Sequence, residues 1–323
     1  MDEFGFLKNL KNHFNLSKIG DDCAVLPFDP AHDLLLTSDL LVQDVDFRID
    51  WISPEELGHK AVSVSLSDIA AMGGDPVWSL ISIAAGAEHF ESGFFDRFYA
   101  GAKRLLDSFG VEIAGGDLSD TSGPITIDSI AVGSCPRNGA VLRSGAKPGD
   151  LIWVTGPLGG AAAGLLLLEL GSGLAKNTVA ASALTKRQLQ PLPQVGLGKQ
   201  LQQHDLATSM IDLSDGLSSD LGHICDESGT GAKIEAREVP VDPALEQLAQ
   251  ELGSDWPHRS VSLALNGGED FELLFTSEKA HSGELEALGC IRIGEITASE
   301  GVITLIEGGS ERPLERRGFR HFA

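Results

Sequence analysis

The stretch from Ser53 to Pro76, SPEELGHKAVSVSLSDIAAMGGDP, constrains this chain more than any other. Ser53, then Pro54, then Glu56 three places after the serine form the signature of a capped helix start. Leu57, Ala61, Val64 and Ala71 fall near one helical face, and Ile69 and Met72 widen it. Gly73-Gly74 and Pro76 end the helix. Between Lys60 and Asp75 the only charge is Asp68, set among small and apolar residues. An unpaired buried carboxylate is costly, so Asp68 belongs beside a cation or at an exposed edge. We read it as a metal ligand to which the rest of the chain brings further acids. His59 is expected on the solvated part of this helix.

A chain of 323 residues predicts two domains, and 42% hydrophobic content suffices for a sizeable core. The formal net charge of −23 opposes binding to nucleic acid or an anionic membrane, since no basic excess exists to neutralise phosphates. A phosphate ligand would therefore need cations between it and the protein. Cys23, Cys135, Cys225 and Cys290 are far apart and form no CxxC pair, which predicts reduced thiols in a cytoplasmic protein. The N-terminus has no signal-peptide pattern, and GLLLLEL (164–170) is too short to span a bilayer.

Taken in order, residues 2–14 predict a short helix, and 19–28 a glycine turn carrying Asp21 and Asp22 into a strand. Residues 33–47 predict a strand whose apolar run stops at Thr37-Ser38-Asp39. After the capped helix, 77–86 reads as a fully buried strand, 94–110 as an amphipathic helix, and 111–120 and 125–134 as strands. RSGAKPGD (143–150) is a polar, turn-rich connector, so the domains are placed at 1–142 and 143–323. The second half alternates again: strand 151–156, a long apolar helix over about 160–171, a loop at 189–198, then strand, turn and helix over 210–229 with Ser214 as cap. Next come strand KIEAREVPV, helix DPALEQLAQEL, strand VSLAL, turn NGGED, strand FELLFT, a helix over about 278–288 and two strands. Alternation in both halves gives the class α/β or α+β.

One pattern repeats: an apolar run ends and a carboxylate follows beside Gly or Ser, at Asp22, Asp39, Asp117, Asp212 and Glu269. Such acids sit at a sheet edge where the backbone can approach a ligand closely. Several in one cleft repel unless divalent cations lie between them, and Mg²⁺ favours a few carboxylates, water and substrate phosphates. Asp is common in turns in any protein, but Asp39, Asp68, Asp117 and Asp212 together favour the functional reading. There is no GxxxxGK[ST], HExxH or GxSxG. The turn Gly156-Pro157-Leu158-Gly159-Gly160 is read as a close-packing turn rather than a phosphate loop.

In order, IGDDCAVL, TSDLLVQDVDF, HKAVSVSLSDIAAMGGDP, GGD, RSGAKPGD, IDLSDGLSSDLG and LNGGEDFELLF resemble the thiamine-monophosphate kinase family. That family shares its superfamily with aminoimidazole-ribotide synthetase and selenophosphate synthetase. The resemblance implies a two-domain fold of that superfamily, with an N-terminal mixed sheet with helices that dimerises into a barrel and a C-terminal α/β domain closing the site. It implies ATP-dependent, Mg²⁺-assisted phosphorylation of thiamine monophosphate to thiamine diphosphate by a homodimer. Carried across by motif, Asp22, Thr37, Ser38, Asp39, Asp68, Asp117, Asp212 and Asp215 would bind Mg²⁺, with Asp39, Asp68, Asp117 and Asp212 central to catalysis. Gly116, Arg143, Ser214 and Tyr99 would contact ATP; Asp46, Glu269 and Phe319 would contact the substrate. Asp46 replaces the family's usual His, and Leu118 its usual Thr.

The chemistry agrees with the residues. The attacking phosphate oxygen is already ionised, so catalysis rests on alignment and charge neutralisation, with in-line transfer and no phospho-enzyme. Two alternatives compete: selenophosphate or aminoimidazole synthesis, and a non-enzymatic acidic cation-binding protein. The first wants a reactive N-terminal cysteine, and Cys23 begins an apolar strand.

Overall fold

The computed structural model describes residues 20–171, 178–253 and 258–319, with Lys11, His13, Lys18 and Trp256. The helix expected over 2–14 lies outside the described residues except at Lys11 and His13, as does the tail from 320 onward.

Helix α1 (Pro54–Ala71) forms as its sequence dictates. Ser53 Oγ accepts from the Glu56 amide at 3.3 Å, and Glu56 Oε2 accepts from the Ser53 amide at 2.9 Å, so the capping box closes. Gly73 supplies the left-handed turn after it (φ 69°). Nearly every side is buried, serines and Lys60 included, because the helix lies between two sheets.

The first sheet contains β1 (Ala24–Pro27), β2 (His32–Val42), β3 (Asp75–Ala85), β4 (Glu112–Gly115), β5 (Leu118–Asp120) and β6 (Thr126–Pro136). Its order is β1-β2-β6-β3-β4, with β5 also on β3. The β2, β6 and β3 pairings are antiparallel, and β4 and β5 run parallel to β3. Helix α2 (Ala87–Glu91) and helix α3 (Phe94–Phe109) follow β3. Residues 77–86 were expected to be buried throughout, but β3 alternates between buried and open positions. The reason is that α1 covers one face only; Leu36, Leu40 and Trp78 stay exposed on the other. The single strand expected over 111–120 is two, broken at Gly116 (φ 151°), where a Cβ would lie 1.9 Å from the Ile81 carbonyl oxygen.

The second sheet contains β7 (Leu151–Val154), β8 (Ser209–Asp212), β9 (Gly231–Glu235), β10 (Leu273–Ser277), β11 (Ile291–Thr297), β12 (Ile303–Glu307) and β13 (Ser310–Pro313). They run in the order β13-β12-β9-β11-β7-β10-β8, antiparallel except for β12 with β9. Both faces are covered. Trp153, Met210 and Phe275 join one continuous core with α1 and the first sheet. Ile152, Val154, Ile211 and Leu274 pack on α7 (Leu217–Ser228) through Leu217, Leu221 and Ile224. The remaining helices are α4 (Gly160–Leu170), α5 (Val179–Leu189), α6 (Val195–Gln203), α8 (Pro243–Leu252), α9 (Ser260–Asn266) and α10 (Ser282–Ala287).

Four local expectations are corrected. VSLAL is helical, in α9, because Ala264 and Leu265 are buried together in the core under α7 and tertiary packing overrides a strand-like run. The loop expected at 189–198 already contains the start of α6, which approaches the Ala70 carbonyl at Gly198. Gly216, not Ser214, caps α7. The helix over 278–288 is a 3-10 turn (Lys279–His281) followed by α10.

Helices α1 and α3 touch backbone to backbone. A Cβ on Gly58 would fall 1.9 Å from the Phe98 carbonyl oxygen, and one on Gly101 would fall 1.9 Å from that of Glu55. Gly101→Ala is therefore expected to destabilise the protein by about 1–3 kcal/mol, as overpacking does. A lowered denaturant midpoint at unchanged slope is the expected readout.

Candidate active site

Five chain segments converge on one pocket. The turn before β1 supplies Asp22, β2 supplies Thr37 and Asp39, α1 supplies Asp68, the end of β8 supplies Asp212, and the connector between the sheets supplies Arg143. Carboxylate oxygens of Asp22, Asp68 and Asp212 all lie within 4.8 Å of one another. Arg143 Nη2 donates to Asp22 Oδ1 at 2.6 Å, and its backbone amide donates to Asp21 Oδ1 at 2.9 Å. Thr37 Oγ1 donates to Asp68 Oδ2. Ser67 Oγ donates to Asp212 Oδ2 at 2.7 Å, joining α1 to the second sheet. Asp39 Oδ2 is buried without a hydrogen-bond partner.

The electrostatics follow from burial and like charge. Burial, then Asp128 and Asp22, raises the Asp39 carboxyl to about 7. Burial, then Asp22, raises Asp212 to about 8, against the pull of Ser67 and Arg143. Asp68 rises well above the usual range through burial and its neighbours Asp39, Asp212 and Asp22. Burial works against the charged Arg143, but Asp22, Asp212 and Asp68 outweigh it and hold the guanidinium protonated. One arginine cannot balance four acids. Oxygen donors packed like this, one of them unpartnered, are the donor set of a hard divalent cation.

Not every expected residue joins the pocket. Ser38 points to the opposite face of β2 from Thr37 and Asp39, and its hydroxyl donates to Asp128 Oδ1 at 2.6 Å. That follows from the two-residue period of a strand. Asp117 is exposed at the β4–β5 edge. Asp39 pairs with Ser129, Ser129 with Ile81, and the break at Gly116 lies against Ile81. Three strand spacings, roughly 14 Å in all, thus separate Asp39 from that edge. Tyr99 packs beside Phe98, where α3 meets α1 near Gly58; that is about 15 Å of helix from Asp68.

Asp215 groups instead with Asp220 and His223. The turn at Asp212–Gly216 also gathers expected substrate residues: the Glu269 amide donates to the Ser214 carbonyl at 2.8 Å, and the Phe319 amide to the Asp215 carbonyl at 3.2 Å. Asp46 Oδ2 accepts from the Val42 amide at 2.7 Å and closes the turn after β2. Glu269 takes a left-handed backbone (φ 65°) and pairs with Lys60 Nζ at 2.7 Å. The Gly159 and Ala161 amides at the start of α4 are occupied by Asp270, so that turn presents no phosphate cradle. His59 is half-buried and donates from Nε2 to the Pro191 carbonyl at 2.7 Å, not out to solvent.

Lys60, Ser67 and Gln188 also bind these acids, although none belongs to the set expected from sequence. For the first two a signal was present: Ser67 directly precedes Asp68, and Lys60 lies two turns before it on one helical face. Gln188 shows no such mark.

Comparison with known proteins accounts for most of the chain. The N-terminal domain of AIR synthase related protein matches residues 20–135, and the C-terminal domain matches residues 147–306. Thiamine-monophosphate kinase of Escherichia coli (strain K12) is 39% identical, covering 94% of this chain and 91% of that protein. Its counterpart from Aquifex aeolicus is 34% identical, covering 99% and 98%. A solved structure of AaThiL complexed with AMPPCP and TMP superposes with a TM-score of 0.89 at 33% identity, covering 99% of this chain and 97% of that one.

The raised acids imply a specific stability profile. A carboxyl lifted from 3.8 to about 7 (Asp39) or 8 (Asp212) binds its proton in the folded state where the unfolded chain has lost it. Its stabilising contribution is complete below about pH 4 and lost as pH rises towards 8. Metal-free protein should melt at lower temperature at pH 8 than at pH 5.5. Added Mg²⁺ should raise the melting temperature more at pH 8, and calorimetry at both pH values measures this.

Proposed function

Because the chain belongs to the thiamine-monophosphate kinase family, we propose that it transfers the γ-phosphoryl group of ATP directly to thiamine monophosphate, giving thiamine diphosphate. The observation that carries the mechanism is the convergence of Asp22, Asp68 and Asp212 within 4.8 Å, beside the unpartnered oxygen of Asp39. These hard oxygens fit Mg²⁺. When bound, magnesium supplies charge neutralisation between two phosphate-bearing substrates.

The chain's own residues do the rest. Asp22, Asp39, Asp68 and Asp212 hold the cation site, with Thr37 and Ser67 fixing two of the carboxylates. Arg143, free to exchange Asp22 for a phosphate, grips the triphosphate, and Gly116 and Ser214 bring backbone close to the nucleotide. Asp117, at the sheet edge, serves a more distant metal or phosphate position than the buried four, and Asp215 serves another. Glu269 and Phe319 face the cationic end of the substrate. No side chain needs to remove a proton, since the attacking phosphate oxygen is already ionised. The transfer is therefore in-line and without a phospho-enzyme.

Cys23 is 3% exposed, and burial with the adjacent acids raises its thiol well above the usual range. This disfavours a nucleophilic cysteine and with it selenophosphate chemistry. The boundary at 142/143 is our division into a nucleotide-binding half and a closing half. The uncovered face of the first sheet, with Leu36, Leu40 and Trp78 exposed, supports a homodimer joined there. Four buried, unpaired cysteines fit a reducing cytoplasm. Among the described residues no helix is long and apolar enough to cross a membrane.

In a coupled ADP-release assay with Mg²⁺, the wild-type protein should turn over thiamine monophosphate. Asp39→Asn should lower kcat by at least about 100-fold, the scale of losing one preorganised electrostatic group, with a melting temperature at or above wild type. Full activity in that variant would remove Asp39 from the mechanism.

A further inference from the structure

Lys60 is 1% exposed, and its ammonium reaches across the molecule. Nζ meets Glu269 Oε1 at 2.7 Å and the Asp46 carbonyl at 3.4 Å. The second Glu269 oxygen accepts from Gln188 Nε2. Three distant elements thereby converge on one carboxylate: α1, the end of α5, and the turn after α9. Glu269 holds a left-handed backbone (φ 65°), which a non-glycine residue adopts only when its surroundings enforce it. Gln188 is 4% exposed, and its Oε1 is buried with no hydrogen-bond partner. The Glu269 side chain keeps 30% exposure, so the trio opens to solvent on one side.

A carboxylate meant to meet a cationic ring gains nothing from a permanent lysine partner unless that lysine sets its position. We propose that Lys60 and Gln188 are positioning residues that lock the Glu269 carboxylate in orientation for the thiamine moiety, and that Gln188 Oε1 is the seat for an N–H donor of that moiety. This rests on the kinase reading above. The clamp acts on the organic part of one substrate and not on the nucleotide, so its removal should separate the two Michaelis constants.

The experiment is steady-state kinetics of the full-length protein in both substrates, with melting temperatures alongside. Lys60→Met should raise KM for thiamine monophosphate at least tenfold and leave KM for ATP within about twofold. Lys60→Arg should recover most of the loss. Gln188→Leu should raise KM for thiamine monophosphate while narrowing the preference for it over its 4′-oxo analogue, which lacks the amino donor. Lys60→Met placed on Glu269→Gln should add little further loss.

Unchanged constants, equal rises in both KM values, or a fall confined to kcat would overturn the clamp while leaving the kinase reading intact. Should Lys60→Met fail to fold, Gln188→Leu and Lys60→Arg decide the matter by the same constants, and misfolding of all three marks the trio as packing only. Absence of turnover in the wild type overturns both readings.

Discussion

Repulsion between buried carboxylates is the constraint on which this architecture depends. Asp22, Asp39, Asp68 and Asp212 share a pocket with Arg143 as their cation. Left fully ionised, such a set would oppose folding, and the protein answers with protonation, hydroxyl donors and the arginine. The same unbalanced charge makes the pocket attractive to divalent cations. Stability and function thus pull against each other at one place, as sites that bring anions together require.

Helix α1 makes the pocket possible. Its small residues allow sheets to pack on opposite sides, and its serines reach both: Ser65 to Ser129 on the first sheet at 2.7 Å, Ser67 to Asp212 on the second. Backbone contacts at Gly58 and Gly101 draw α3 onto the same helix. A larger residue at these points would move Asp68 relative to Asp212. The chemistry therefore depends on packing several turns away from the acids.

Much of this was legible in the chain. The cap at Ser53, the stop at Gly73, the alternation of strands and helices and the placing of Asp212 at a strand end follow from local rules, whereas Asp39 lies inside the interior strand β2 rather than at its end. Where the structure departs from the local pattern, the causes are physical. Ser38 stands between Thr37 and Asp39 in the chain, yet strand alternation sends its side chain to the opposite face. Asp117 shares the Gly-flanked pattern of the buried acids, yet sheet order leaves it at an exposed edge; a local motif carries no information about strand order. VSLAL reads as strand from its composition, and α9 exists because two of its residues have a core to fill. Lys60 shares a helical face with Asp68, but its partner lies 209 positions further on, beyond the reach of any local pattern.

The inward-facing contacts of α1 also bear on how the molecule can move. Lys60, Ser63 and Ser67 each bind a group from the second half, and none can part from its partner without stranding a polar atom in the interior. A simple hinge about the connector at 143–150 would break all three at once. Opening for substrate entry should instead be a peripheral event, a lifting of surface segments around a central unit that behaves as one rigid piece.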